Sequence, residues 1–414
     1  MEGPIAKSLL GIDFYKFTMG QVILRKYPDV SATFAFKNRT KNIRMRNHID
    51  LDELEWQLDQ VAKLRFNKTE LHYLRGTNEY QERMFCEEYL QFLEGFKLPQ
   101  YRLGIDVVDA EIKLEFLGQW SVTTYWETIA LAIVSELYYR GFLKKMTRFE
   151  RNSLFAQGQL RLSEKIKALK ERKDITFSEF GTRRRFSRVW QDYVVRSLAE
   201  ELPPSQFIGT SNTYLAMKYG VMPIGTKAHE MDMVMAGIAD SRGEDITQSV
   251  SQSLRDWWEQ YGWGLSIALP DTFGTDFFFR SMTPEQAKDW KGLRQDSGDP
   301  ILFGEKAITF YKSCGVDPRE KLIVFSDGLD LDMIFKIADH FKGRLNVTFG
   351  WGTNLTNDLG FPPISLVVKT VEANGQGLVK LSDNLAKSIG GPKDIERYKR
   401  AFGYTGENYE ECRY

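Results

Sequence analysis

Cysteine is scarce in this chain of 414 residues: Cys86, Cys314 and Cys412 are widely separated and form no CxxC pair. That excludes a disulfide framework and a cysteine-built zinc site. Charge of one sign is also lacking. Lys plus Arg and Asp plus Glu both total 56, so no global field recruits nucleic acid or an anionic membrane. No window approaches the roughly 18 consecutive apolar residues of a membrane-spanning helix. The N-terminal stretch meets Asp13 and Lys16 early and has no apolar core of the signal-peptide kind. These absences predict a cytoplasmic protein that binds neither nucleic acid nor membrane. No low-complexity segment or linker divides the chain, and neither a GxGxxG dinucleotide fingerprint nor a GxxxxGK phosphate loop is found where one would be needed.

What is present is a repeated pattern of apolar strand, polar loop and helix. Eight strand candidates run from about 175 to 370: ITFSEF, QFIGTS, VMPIGTKA, LSIALPD, LRQDS, LIVFSD, LNVTFG and ISLVVKT. This alternation suits a (β/α) barrel, whose functional loops converge at the strand C-termini. Before it, helical stretches at 51–63 and 78–95 mix with strand-like alternation at 31–39 and 109–118, an α+β unit with a partly antiparallel sheet. Residues 123–143 are apolar at helical spacing and predict a buried connecting helix. The tail from 371 reads as a strand pair returning to the first unit.

The loops carry the chemistry. Histidine occurs four times, and His229, unlike His48, His72 and His340, sits at a strand end after GTKA. Its ordinary pKa near neutrality suits a base or a nucleophile. Asp271 in LPDT, at the next strand end, is the candidate carboxylate to orient it. The loop 350–354, GWGTN, offers small residues and a helix start to an anion, with Ser326 and Gly328 in the neighbouring loop. LRQDSGD brings Arg294, Asp296, Ser297 and Asp299 to one strand end. The arginine can clamp a carboxylate or phosphate, and the acids can hold ribose hydroxyls or a hydrated Mg²⁺. In TRRRFSR, Arg183 and Arg184 follow the strand directly, so at least one of them faces the loops, whereas Arg185 and Arg188 are expected on a solvated helix face. The clusters Trp257–Trp258 and Phe277–Phe279 read as packing.

Together these loops resemble the nicotinate phosphoribosyltransferases. The resemblance is carried by DFYKFTM (13–19), FSEFGTRRR (177–185), FIGTSN (207–212), GTKAHE (225–230), LPDTFGT (269–275), RQDSGD (294–299), FSDGLD (325–330), GWGTNL (350–355) and KLSDN (380–384). It implies an irregular α/β barrel at 141–370 and an α/β sandwich built from 1–140 with 371–414. It also implies attack of the nicotinate nitrogen on C1 of phosphoribosyl pyrophosphate, with Mg²⁺ carried by the substrate phosphates. The reaction would be coupled to ATP, as co-substrate, through a phosphorylated His229 in NAD salvage. In this frame Arg294 meets the nicotinate carboxylate or the adjacent phosphate. Arg183 and Arg184 serve the pocket and pyrophosphate, and Thr226 contacts nicotinate. Asp327 holds ribose hydroxyls, Gly350, Gly352 and Thr353 the 5′-phosphate, and Tyr15 stacks on the pyridine. The resemblance further implies a homodimer in which Asp13 and Tyr15 reach the site from the neighbouring subunit.

Two alternatives stay open. Nicotinamide-using relatives carry an aspartate in the loop that reads GTSN here, where this chain has Ser211. An ionised aspartate there would repel nicotinate by several kcal/mol in a low-dielectric site, which favours the acid as substrate. A catalytically silent nucleotide-binding relative is the other alternative, since fold alone does not establish function.

Overall fold

The structure, a computed structural model, describes residues 3–40, 42–108, 110–406 and 409–410; Cys412 lies outside them. A seven-stranded parallel sheet curls through the larger part of the chain. Its spatial order is Met222–Pro223, Phe207–Thr210, Phe177–Glu179, Asn346–Trp351, Leu322–Phe325, Gly292–Gln295 and Ile267–Ala268. Its two outer strands are not paired with each other, so this is an open half-barrel. The N-terminal segment packs beside the outer strands. Asp13 bridges to Asn212, and the Thr18 hydroxyl donates to the Thr226 carbonyl at 2.7 Å. Gly225 permits the approach, because a Cβ there would lie 2.6 Å from the Tyr15 backbone nitrogen.

The eighth strand candidate does not join this sheet. Leu366–Ala373 pairs antiparallel with Ser31–Asn38, from Asn38 opposite Leu366 to Ala32 opposite Ala373. No helix separates it from the short helix Thr353–Thr356, so it lacks the crossover a parallel neighbour needs. It belongs to a five-stranded sheet ordered Gln376–Gly377, Leu366–Ala373, Ser31–Asn38, Ile112–Gln119 and Tyr101–Ile105, which joins both ends of the chain. Against this sheet lies the helix Trp126–Leu143, buried along most of its length as its apolar sequence predicts. The stretch 78–95 is not one helix. It opens with a hairpin, Asn78–Glu79 paired with Glu82–Arg83, whose turn residues Tyr80 and Gln81 take positive φ, and only Glu87–Glu94 is helical. The helix Lys68–Gly76 just before it is fixed by a reciprocal Asn67–Glu70 capping box.

Candidate active site

The strand C-termini and the N-terminal segment enclose a cavity of about 330 Å³. Arg183 and Arg184 enter it from the turn Thr182–Arg184, Ser211 from the next strand, and Thr226 and His229 from the loop before the helix Glu230–Ser241. Across the sheet lie Arg294, Asp296 and Asp327, with Gly350, Gly352 and Thr353 at the last strand. A Cβ at Gly350 would sit 2.5 Å from the Phe180 ring, so only glycine lets this loop close over its neighbour. Asp299 departs from expectation. It is exposed, accepts from the Leu302 amide at 2.8 Å as cap of the helix Pro300–Ser313, and lines a separate cavity. Arg185 departs as well: it is buried and donates to Gln191 at 3.0 Å, because its chain turns inward before the helix starts at Arg188.

His229 and Asp271 form a buried pair, Nε2 to Oδ1 at 2.7 Å. Asp271 stands behind the histidine, away from the cavity wall, and its other oxygen accepts from Ser297 at 2.6 Å and faces the Lys380 ammonium at 3.4 Å. Burial opposes ionisation of Asp271, but the imidazole, Lys380 and Ser297 overcome it and hold the carboxyl well below its usual range. Burial pushes His229 down to about 4, against Asp271 and with help from Lys380. At neutral pH the pair is therefore a neutral imidazole beside a carboxylate. The Asp271 contact holds the proton on Nε2 and leaves a lone pair on Nδ1.

The other wall is organised by Asp13, which accepts from Ser211 at 2.7 Å and faces the Arg183 Nε at 3.4 Å. Burial pushes the Asp13 carboxyl up, with Arg183 and Ser211 opposing. Two expectations change here. Asp13 and Tyr15 line this wall from the same chain, bound to the loop at 211–213. And Ser211 does not leave its corner free of carboxylate, because Asp13 occupies it. Both strand ends are tied together by Glu179, fully buried, which accepts from Gly181 N and Thr210 Oγ1, each at 2.5 Å, and from Gln191. Burial pushes this carboxyl up to about 7.

Sequence reasoning missed most of the lysines. Lys369, Lys380 and Lys387 line the cavity from the segments after residue 365, with Lys387 bonded to the carbonyl of Asp296 and to the Asp327 carboxylate. KLSDN marked Lys380 without suggesting a role. With Arg39, Lys291 and the arginines, eight basic residues line the cavity against four acids, Asp13, Glu79, Asp296 and Asp327. Arg294 stands out among them: its Nε is buried and has no hydrogen-bond partner. A buried cationic donor left unpaired is costly, and a bound anion resolves it. The Asp296 carboxyl, held low by Arg294 against burial, stays ionised beside it. Among the described residues no three His, Cys, Asp or Glu side chains form a metal cage. A Mg²⁺ carried by phosphates needs only one or two carboxylates, and of the four acids in the cavity Asp296 and Asp327, on loops after neighbouring strands, are the pair that could meet it.

Comparisons with known proteins place the chain in a family. The profile of the nicotinate phosphoribosyltransferase (NAPRTase) family matches residues 175–406, and that of the NAPRTase N-terminal domain matches 10–135. The crystal structure of nicotinate phosphoribosyltransferase from Porphyromonas gingivalis superposes with a TM-score of 0.87 at 31% identity, covering 96% of this chain and 100% of that one. The enzyme of the same name from Vibrio cholerae gives 0.87 and 31%, over 98% and 95% of the two chains. Matched in both halves by sequence and along nearly its whole length by structure, the chain belongs to the nicotinate phosphoribosyltransferase family and is a phosphoribosyltransferase.

Proposed function

We propose that this enzyme makes nicotinate mononucleotide from nicotinate and phosphoribosyl pyrophosphate, coupled to ATP hydrolysis through His229, in NAD salvage. The observation that carries the choice of an anionic base is the buried, unpaired Nε of Arg294 in a cavity where basic residues outnumber acids. The pyridine nitrogen attacks C1 of the ribose as the C1–O bond to pyrophosphate breaks. Positive charge grows on the ribose and negative charge on the leaving group. Arg183, Arg184 and the lysines stabilise the second in a site screened from water. Mg²⁺ supplies further charge on the phosphates. Arg294 takes the nicotinate carboxylate or the adjacent phosphate, Thr226 contacts the base, and Tyr15 stacks on it. Asp327 holds ribose hydroxyls, and the 350–353 loop the 5′-phosphate. For the ATP step, the Nδ1 lone pair of His229 attacks the γ-phosphorus, the bond to ADP breaks, and Asp271 keeps the Nε2 proton and steadies the charge formed on the ring. The start of the helix Glu230–Ser241 adds partial positive charge beside the new phosphoryl group. A homodimer is part of this reading, with Asp13 and Tyr15 supplied in cis.

One observation favours the amide instead. Asp13 lies in the base corner with its carboxyl pushed up, and it could accept from an amide NH₂. The ATP step is tested with ATP radiolabelled at the γ-phosphate. Acid-labile label on the wild type, absent from His229→Ala, is expected, with slow uncoupled synthesis surviving in the variant. Unchanged ATP consumption by His229→Ala would refute the assignment.

A further inference from the structure

Glu127 sits in the buried helix Trp126–Leu143 and is 2% exposed, yet it is surrounded by active-site groups. One carboxylate oxygen accepts from the Tyr15 hydroxyl at 3.1 Å and from Lys16 at 2.6 Å. The other faces Lys369 at 3.2 Å and Arg183 at 4.0 Å. Lys16, fully buried, continues to Glu230 at 2.6 Å, and Glu230 follows His229 directly and accepts from the Trp120 indole at 2.6 Å. Lys16 alone would satisfy a buried glutamate, as structural ion pairs do. Three further contacts, each to a group that lines the cavity, go beyond that need.

We propose that Glu127 is a positioning residue for phosphoribosyl transfer, fixing the Tyr15 ring for the base and the Lys369 and Arg183 charges for pyrophosphate from one carboxylate. This rests on the proposed use of the cavity for a pyridine base and a pyrophosphate ester. Burial opposes ionisation of Glu127, but Lys16, Lys369 and Arg183 outweigh it and keep the carboxylate charged. Lys369 gains in return: burial pulls its ammonium down to about 8, Glu127 props it up, and Arg183, Lys380 and Arg39 act with burial. Without Glu127 the ammonium would lose its proton at lower pH. Lys16 also stands 5.3 Å from the centre of the Tyr15 ring, whereas Glu230 bonds to Lys16 and Trp120, neither of which lines the cavity, and ties the helix Tyr15–Lys26 to the one that follows His229.

The test compares Glu127→Gln with Glu230→Gln, which leaves the Lys16–Glu127 pair in place, using pyrophosphate binding by calorimetry at a series of pH values and the KM for each substrate. Glu127→Gln is expected to weaken pyrophosphate by about tenfold, the loss of a charge-assisted hydrogen bond, with the deficit relative to wild type growing as pH rises above neutrality. Its KM values should rise more than kcat falls. Glu230→Gln, whatever its melting temperature, should bind pyrophosphate within about threefold of wild type, under 1 kcal/mol. If Glu127 merely neutralised nearby cations, removing its charge would tighten the polyanion, so tighter or unchanged binding overturns the proposal. Equal damage in the two variants also overturns it, making the network a link between helices. Failure of the wild type to bind pyrophosphate would instead contradict the proposed function.

Discussion

Arg294 lies in the cavity with its Nε buried and unpaired, which leaves a donor for a bound anion while its charge keeps Asp296 ionised. Arg294→Leu should raise the nicotinate or phosphoribosyl pyrophosphate KM by about tenfold to a hundredfold, the scale of a lost hydrogen bond to a charged group. Its thermal midpoint should fall modestly at neutral pH, because the Asp296 carboxylate loses the cation that keeps it ionised against burial. Steady-state kinetics alongside thermal denaturation checks both. Asp271→Asn is expected to behave differently. It removes the carboxylate charge and offers an amide NH₂ that can donate to Nε2 and reverse the His229 tautomer, and it leaves Lys380 buried beside a neutral group, so both ATP coupling and stability should drop, the first by about a hundredfold or more.

Glu179 is a buried carboxyl with only neutral donors around it, and its pKa of about 7 lies above the ordinary 4.5. The folded state therefore favours the protonated form. Its stabilising contribution is full below 4.5 and is lost as pH rises through 7, by up to about 3 kcal/mol. Glu179→Gln should consequently melt at a temperature closer to, or above, that of wild type at pH 8.5 than at pH 5, as thermal scans at the two pH values will show.

The strand-loop units were largely legible in the sequence, because each loop motif follows an apolar run and loops at strand C-termini must converge. His229, the arginines after Glu179 and the 350–353 loop line the cavity for that reason. The strand 366–373 was misassigned because an apolar run looks the same in a parallel and an antiparallel sheet, and only its partner differs. In the loops themselves, close contact between neighbours is enforced by glycine. Gly350→Ala would drive a methyl into the Phe180 ring, and the displaced loop should cost affinity for phosphoribosyl pyrophosphate several-fold with the nicotinate KM little changed. Kinetics with each substrate varied in turn checks this.

The two chain ends meet the half-barrel in one site, and that convergence is where sequence reading ran out. Lys369, Lys380 and Lys387 come from the segments after residue 365, and Tyr15 from the start of the first helix. No local spacing links them, since they are joined only by folding. Glu127 had one available signal, a lone acid inside the apolar run of 126–134, because buried carboxylates are seldom found without a partner. In the described residues no helix is long and apolar enough to cross a membrane, as composition predicts.

The most direct measurement of the central claim incubates the enzyme with phosphoribosyl pyrophosphate, Mg²⁺ and ATP, with nicotinate and nicotinamide in parallel, and resolves the mononucleotides by chromatography. Nicotinate mononucleotide formed at least about tenfold more efficiently than the amide product, the discrimination a matched charged contact supplies, and accompanied by ADP, is the predicted result. Nicotinamide mononucleotide formed at an equal or greater rate would contradict the account and make Asp13, not Arg294, the residue that selects the base.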